Sequence, residues 1–239
     1  VKQLHRTIVL SATYRQSAVG HANAAAADPD NHLIYRFNRR RLEFEALRDT
    51  LLATSGTLDL RAGGLSDDLV KEPFPVRRTI YGFIDRQNLP GVFRTFDFPN
   101  PDVSSAQRFA TTVPQQALFM LNSPFVQEQA RALMRRPEVQ AAKSDAEKIR
   151  TLHRLVLQRA PTADEQKLAT AFIAASRPEP APEPQPAAPP APKMEPEKAK
   201  KKNTKNTPPP APKAPTPPLT RWEELSQVLL LSNEVAFVD

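Results

Sequence analysis

Between Arg177 and Pro218 the chain spends 16 of its 26 prolines and places no aromatic or β-branched aliphatic residue. Such a stretch cannot bury enough apolar surface to offset the entropy lost on ordering, so it reads as a disordered or polyproline-type insertion. That reading constrains everything else. It leaves 197 of the 239 residues to build a core, in two blocks, 1–176 and 219–239. Loop-closure entropy grows slowly with length, so a long polar insertion between two helices costs little. The C-terminal block is therefore expected to pack back onto the first as part of one domain.

The charge follows the same division. The formal +7 of the chain includes +4 from the tract 177–218, leaving about +3 on the folded part, an ordinary surface balance. The run Lys198, Lys200, Lys201, Lys202 and Lys205 has no aromatic residue beside it on which a base would stack. It reads as a solubilising linker, with nucleic-acid binding as the alternative. There is no cysteine, which excludes disulfides, thiolate metal sites and covalent haem attachment within this chain. No apolar run approaches the ~20 residues of a membrane helix. No signal peptide is visible, and the start at Val1 in an amphipathic segment reads as a piece of a longer protein.

Periodicity predicts a mainly α fold. Leu4, Ile8 and Val9 suggest a short first helix, followed by an Ala-rich loop. "YRFNRRRLEFEALRDTLLATSG" is the clearest helix, with Leu42, Ala46, Leu47 and Leu51 on one face and Gly56 as its stop. On it, Glu45 and Arg48 lie three residues apart, and Glu45 and Asp49 lie four apart. From about 57 to 100, β-branched and aromatic residues with glycine punctuation predict a small extended or β subregion, including "VRRTIYGFIDR" and "GVFRTFDF". Helices resume at Pro114, with Thr112 as N-cap, and at Pro124 after Ser123. Ile149, Leu152, Leu155 and Val156 mark a further helix. Capping boxes at Thr162/Glu165 and Thr220/Glu223 open two more, the last burying Trp222, Leu225, Val228 and Leu229.

The chemistry is less legible. The four histidines show no metal-ligand spacing, and His153 reads as a packed structural residue. No phosphate loop or nucleophile elbow is present. Three constellations remain. Arg39, Arg40 and Arg41 would fan around a helix that also carries Asp49, with one or two forking onto a carboxylate. Arg77, Arg78 and Tyr81, with Asp85 and Arg86 beyond, form the second; strand alternation would put Arg77 and Tyr81 on one face, and an Arg beside a Tyr suits an anionic or sugar-like ligand or a plain carboxylate clamp. The third lies in "FDFPNPDVSSAQRFATTVPQQ". Here Asp97 and Asp102 provide turn chemistry, Arg108 is expected to bind one of them, and Thr111, Thr112, Gln115 and Gln116 stand at a helix start where an anion or hydroxyl ligand would find amide donors. A rigid, self-satisfied loop would need the same residues.

"LHRTIVLSATYRQS", "RRRLEFEALRDTLLATSGTLDL", "RRTIYGFIDRQ", "FDFPNPDVSSAQRFATTVPQQALFMLNSPFV" and "SNEVAFVD" resemble, in that order, a family of domains of unknown function. These domains close large planctomycete-type surface proteins, after a cytochrome-c-like haem domain and a second uncharacterised domain. The resemblance implies upstream domains of the same polypeptide as partners, an extracytoplasmic location, and haem only upstream, with no cofactor in this chain. It brings no catalytic residues. The expected role is a scaffold or ligand-binding module for a glycan or other polar or anionic ligand, held by Arg77, Arg78, Asp97 and Arg108. The alternative is a hydrolase half-site with Asp97 or Asp102 as general acid or base.

Overall fold

The computed structural model describes residues 1–175 and 217–238. The chain divides into one unit of Val1–Ala174 with Leu219–Asp239 and a second of Ala175–Pro218. The insertion expected at 177–218 lies outside the described residues, apart from its last two. The first unit is helical, as expected, with a single two-stranded sheet among the described residues.

Helix α1 (Lys2–Val9) forms where its periodicity predicts, yet buries none of its residues. The Ala-rich segment read as loop contains a short helix, α2 (Ala22–Ala27), consistent with alanine's high helix propensity. The next helix starts later than expected. Arg40–Arg41 form strand β1, antiparallel to β2 (Phe237–Val238), and α3 runs Phe44–Ser55. Its buried face is Phe44, Leu47, Arg48, Leu51, Leu52 and Ser55, while Ala46 faces solvent. Gly56 ends it at φ +78, the left-handed geometry that a Cβ would oppose.

Residues 57–90 are mostly irregular, and the expected strands are replaced by isolated parallel bridges at Asp59–Arg77 and Asp67–Gly82 and a 3-10 turn over Thr79–Tyr81. A Cβ on Gly82 would lie 2.3 Å from the side chain of buried Leu69, so this backbone approach requires glycine. "GVFRTFDF" is not a strand. It forms α4 (Gly91–Thr95), because Phe93 and Phe96, three residues apart, both turn into the core. The helix closes with Phe98 N–H on the Phe93 carbonyl (2.9 Å) and Asp97 N–H on that of Arg94 (3.3 Å), placing Asp97 at φ +57. Phe44, Phe93, Phe96, Phe98 and Phe119 form a chain of edge-to-face and tilted ring contacts, 5.1–5.4 Å between centroids.

Helices α5 (Pro114–Asn122) and α6 (Pro124–Met134) meet at Ser123. Val113, not Thr112, precedes α5, and the Gln116 side chain accepts its N–H at 3.3 Å. A short α7 (Pro137–Gln140) leads to α8 (Asp145–Leu157) and α9 (Ala163–Ala174). His153 is buried in α8 with Nδ1 2.9 Å from the Ile149 carbonyl. Beyond the insertion, α10 (Arg221–Leu230) packs along α6, and α11 (Asn233–Ala236) leads into β2. The Thr220/Glu223 capping box is in place. Leu225, Leu229 and Leu230 are buried, whereas Val228 is on the solvent side, contrary to expectation.

Candidate functional site

α3 presents two faces with different chemistry. Glu45 and Asp49, one turn apart on its outer side, are like charges at a spacing that destabilises an isolated helix. External cations answer them. Arg78 donates Nε to Asp49 Oδ2 at 3.1 Å. Arg108 forks onto Glu45, Nη1 to Oε2 at 3.0 Å and Nη2 to Oε1 at 2.9 Å, and Nη1 also reaches Glu43 at 2.9 Å. Hydrogen bonding to Glu45 raises the Arg108 guanidinium above its ordinary range, against the effect of partial burial. Its guanidinium carbon stands 5.0 Å from the centroid of the Phe98 ring.

The third anchor is Thr79. Its N–H and hydroxyl both bind Asp49 Oδ1 at 2.7 Å, and its hydroxyl also takes a bond from Arg48 Nη1 at 3.2 Å. Arg48 is buried beneath this turn and holds the carbonyls of Pro75 and Arg77. Burial pulls its pKa below the ordinary arginine value, partly opposed by Asp49 and Asp67. Between α3, residues 78–84 and Phe98 lies a cleft of about 430 Å³. Glu43, Glu45, Asp49, Arg78 and Arg108 provide its polar wall. Ala46, Ile80, Ile84, Phe93 and Phe98 provide its apolar one.

The sequence-predicted residues are thus divided among several places. Arg78, Asp49 and Arg108 meet at the cleft. Arg77 turns away from it: Nη1 donates to the Leu65 carbonyl at 2.9 Å, Nη2 to that of Gly63, Asp67 lies 3.2 Å away, and the guanidinium stacks on Tyr81 at 4.3 Å. The expected Arg77–Tyr81 neighbourhood exists, produced by a 3-10 turn rather than strand alternation.

The pairing of Arg108 with Asp97 or Asp102 does not form. In the left-handed position that closes α4, the Asp97 carboxylate accepts the Thr111 N–H at 2.7 Å and its hydroxyl at 2.8 Å. Asp102 sits on an exposed turn, 3.5 Å from Arg86. Nor do Arg40 and Arg41 join Asp49, because they lie in β1 before the helix begins. Arg40 is exposed. Arg41 donates to the Thr111 carbonyl at 3.2 Å and lies 5.4 Å from the Phe96 ring. Partial burial lowers its pKa, partly opposed by Asp97.

Gln116 is buried, and its Nε2 donates to the Thr95 carbonyl at 2.8 Å, so its amide belongs to the core rather than to a ligand. Asp97, Arg108, Thr111 and Gln116 do border one cavity, but at about 20 Å³ it has room for a water rather than a larger guest. Thr112 is exposed beside a separate pocket of about 110 Å³ against α11 and Phe237. Sequence reasoning missed Glu43 and Glu45 as site residues. The signal was present in the like charges at 45 and 49, one turn apart on the helix.

Among the described residues no group of three or more His, Cys, Asp or Glu could hold a metal ion, and no helix is long and apolar enough to cross a membrane. No curated protein and no solved structure gives a significant match. Residues 1–173 match the model of one family across the cleft, the aromatic chain and helices α1 to α8 and nearly all of α9. The chain belongs to that family, PSD1, proteins of unknown function (DUF1553).

Proposed function

We propose that this chain is a non-catalytic scaffold or ligand-binding module of a larger exported multidomain protein, and that the cleft on α3 takes a polar ligand such as a glycan. One observation carries the reading. Donors, acceptors and apolar faces share a single concavity of about 430 Å³, the combination with which proteins hold polyhydroxylated ligands. Asp49, Glu45 and Glu43 already answer the charges of Arg78 and Arg108, which favours a neutral polyol over a free anion. The hydrolase alternative has less support: Thr111 occupies the Asp97 carboxylate, Asp102 pairs at the surface, and neither lines the cleft.

On the resemblance of the five motifs we also propose a planctomycete-type parent protein with an upstream cytochrome-c-like domain, an extracytoplasmic location, and no cofactor in this chain. The three-part organisation, 1–176, 177–218 and 219–239, belongs to the same proposal. The basic run Lys198 to Lys205, the basis of the nucleic-acid alternative, lies outside the described residues.

The test is a thermal-shift and NMR titration of the chain against neutral oligosaccharides, sulfated sugars and inorganic phosphate. A saturable response to a neutral oligosaccharide, lost in Arg78→Ala, is expected. Arg78 is half exposed, so that variant keeps its fold. Silence from every sugar would sink the ligand reading, and a response to phosphate alone would reverse the preference for a neutral ligand.

A further inference from the structure

The cleft on α3 has two polar groups to spare, and they differ in kind. Arg78 gives its Nε to Asp49 Oδ2 at 3.1 Å, while its Nη1 and Nη2 make no hydrogen bond among the described residues. Glu43 receives Arg108 Nη1 on Oε2 at 2.9 Å, which leaves Oε1 open. Both side chains are more than half exposed. The other carboxylate oxygens of the cleft are in use. Glu45 spends both on Arg108, and Asp49 spends its pair on Thr79 and Arg78. What the cleft still offers is a fork of donors and a carboxylate acceptor.

These two stand at opposite ends. Glu43 directly precedes α3, and Asp49, which holds Arg78, follows six residues later. At 1.5 Å per residue the separation is about 9 Å along the helix axis. Between them Ala46, Ile84 and Phe98 line the same concavity. A ligand that engages both ends therefore needs neighbouring acceptors at one, a donor at the other, and an apolar flank between. Adjacent ring hydroxyls present their oxygens to a guanidinium fork much as a carboxylate does, and the C–H face of a sugar ring supplies the flank.

Charge selects the donor. Three carboxylates, Glu43, Glu45 and Asp49, against two guanidiniums, Arg78 and Arg108, give the cleft a formal −1, and no other charged residue among those described lines it. A hydroxyl would satisfy Glu43 Oε1 and leave that charge standing. An ammonium group answers both, through a stronger, charge-assisted bond. The chain as a whole is formally +7, so its general field opposes a cation and any preference for one is local to the cleft. On the proposal that this cleft is a sugar site, we infer that its ligand is an amino sugar with a free ammonium group, which Glu43 binds while Arg78 forks onto neighbouring hydroxyls.

Calorimetric titration of the full chain with three disaccharides of one backbone tests this. Cellobiose, the glucosamine dimer and the N-acetylglucosamine dimer carry hydroxyl, ammonium and acetamide at the same ring carbon. At a pH where the amine is protonated, the glucosamine dimer is expected to bind about fivefold tighter than the other two, the upper end for an exposed ion pair. Raising the pH above the pKa of the sugar's amine should remove the preference. Glu43→Gln keeps an acceptor and removes the charge, and should remove it as well. Arg78→Lys keeps the charge and loses the fork, so it should weaken all three sugars while the preference remains. Equal binding of the three by the wild type, tightest binding of the acetamide, a preference that survives Glu43→Gln, or an Arg78→Lys variant that binds like wild type overturns the inference and leaves the cleft as a sugar site. Silence from all three removes the sugar site and the inference together.

Discussion

Replacing Asp49 with alanine removes the joint between α3 and the cleft's far wall, and its cost can be worked out bond by bond. Thr79 is 4 % exposed, and its N–H and hydroxyl both rest on Asp49 Oδ1 at 2.7 Å. Without the carboxylate the buried N–H has no partner, which costs about 1–3 kcal/mol. The hydroxyl keeps its bond from Arg48 and loses a charge-assisted one, adding about 1 kcal/mol. The Arg78 pair is half exposed and contributes little. Alanine returns roughly 0.5 kcal/mol of helix propensity. The net expectation is a loss of about 1.5–3.5 kcal/mol, a fall of roughly 3–14 °C in melting temperature for a domain of this size.

Equilibrium unfolding in urea, followed by helical circular dichroism, measures it. Thr79→Val, which keeps the volume and removes the hydroxyl, completes a double-mutant cycle with an expected coupling of about 1 kcal/mol. A loss below about 0.5 kcal/mol for Asp49→Ala, the range of uncommitted surface sites, would refute the reasoning. Strict additivity with Thr79→Val would refute it as well.

Two further outcomes are expected. Asp97→Asn should cost less than about 1 kcal/mol, because asparagine tolerates the left-handed backbone and still accepts from Thr111; Asp97→Ala should cost more, and a reversed order in denaturant midpoints would discard the Thr111 account. Arg159 bridges Glu165 and Glu234 at 2.6 and 2.8 Å, and hydrogen bonding to Arg159 and Thr162 lowers the Glu165 pKa from 4.5 to about 2. A depressed carboxylate stabilises fully above its unfolded value and loses that contribution as pH falls through the folded one. The melting-temperature gap between wild type and Arg159→Gln should therefore narrow from pH 4.5 to about 2, and parallel curves would contradict it.

What the sequence disclosed, and what it hid, sorts by the distance over which the cause acts. The stop at Gly56 and the capping boxes at Thr162 and Thr220 depend on neighbours three or four residues away, so local spacing identified them. The start of α3 was misread because Arg40 and Arg41, good helix formers, pair instead with Phe237 and Val238 at the other end of the chain. The site followed the same rule. Turn chemistry at Asp97 was legible, but its partner was not: Thr111 takes its carboxylate, while Glu45 of α3 and Glu43 just before it hold Arg108. Arg78 and Arg108 were recognisable as candidates. Their convergence required knowing that Glu45 and Asp49 share one face, a spacing visible in the sequence whose repulsion already asked for cations.

The pairing of Arg40–Arg41 with Phe237–Val238, together with α10 lying along α6, has a consequence for how the chain matures. Leu225, Leu229, Leu230 and Val235 belong to the core, so the face of α6 against which α10 packs is uncovered until residues 219–239 have been made. At about 5–20 residues per second, the 65 residues from 175 to 239 take on the order of 3–13 s to synthesise. During that interval the nascent chain carries an open apolar stripe. Contacts spanning almost the whole sequence also place this fold among slow, non-local closers rather than fast helical bundles. Its helices are local, but its closure waits for α10, α11 and β2.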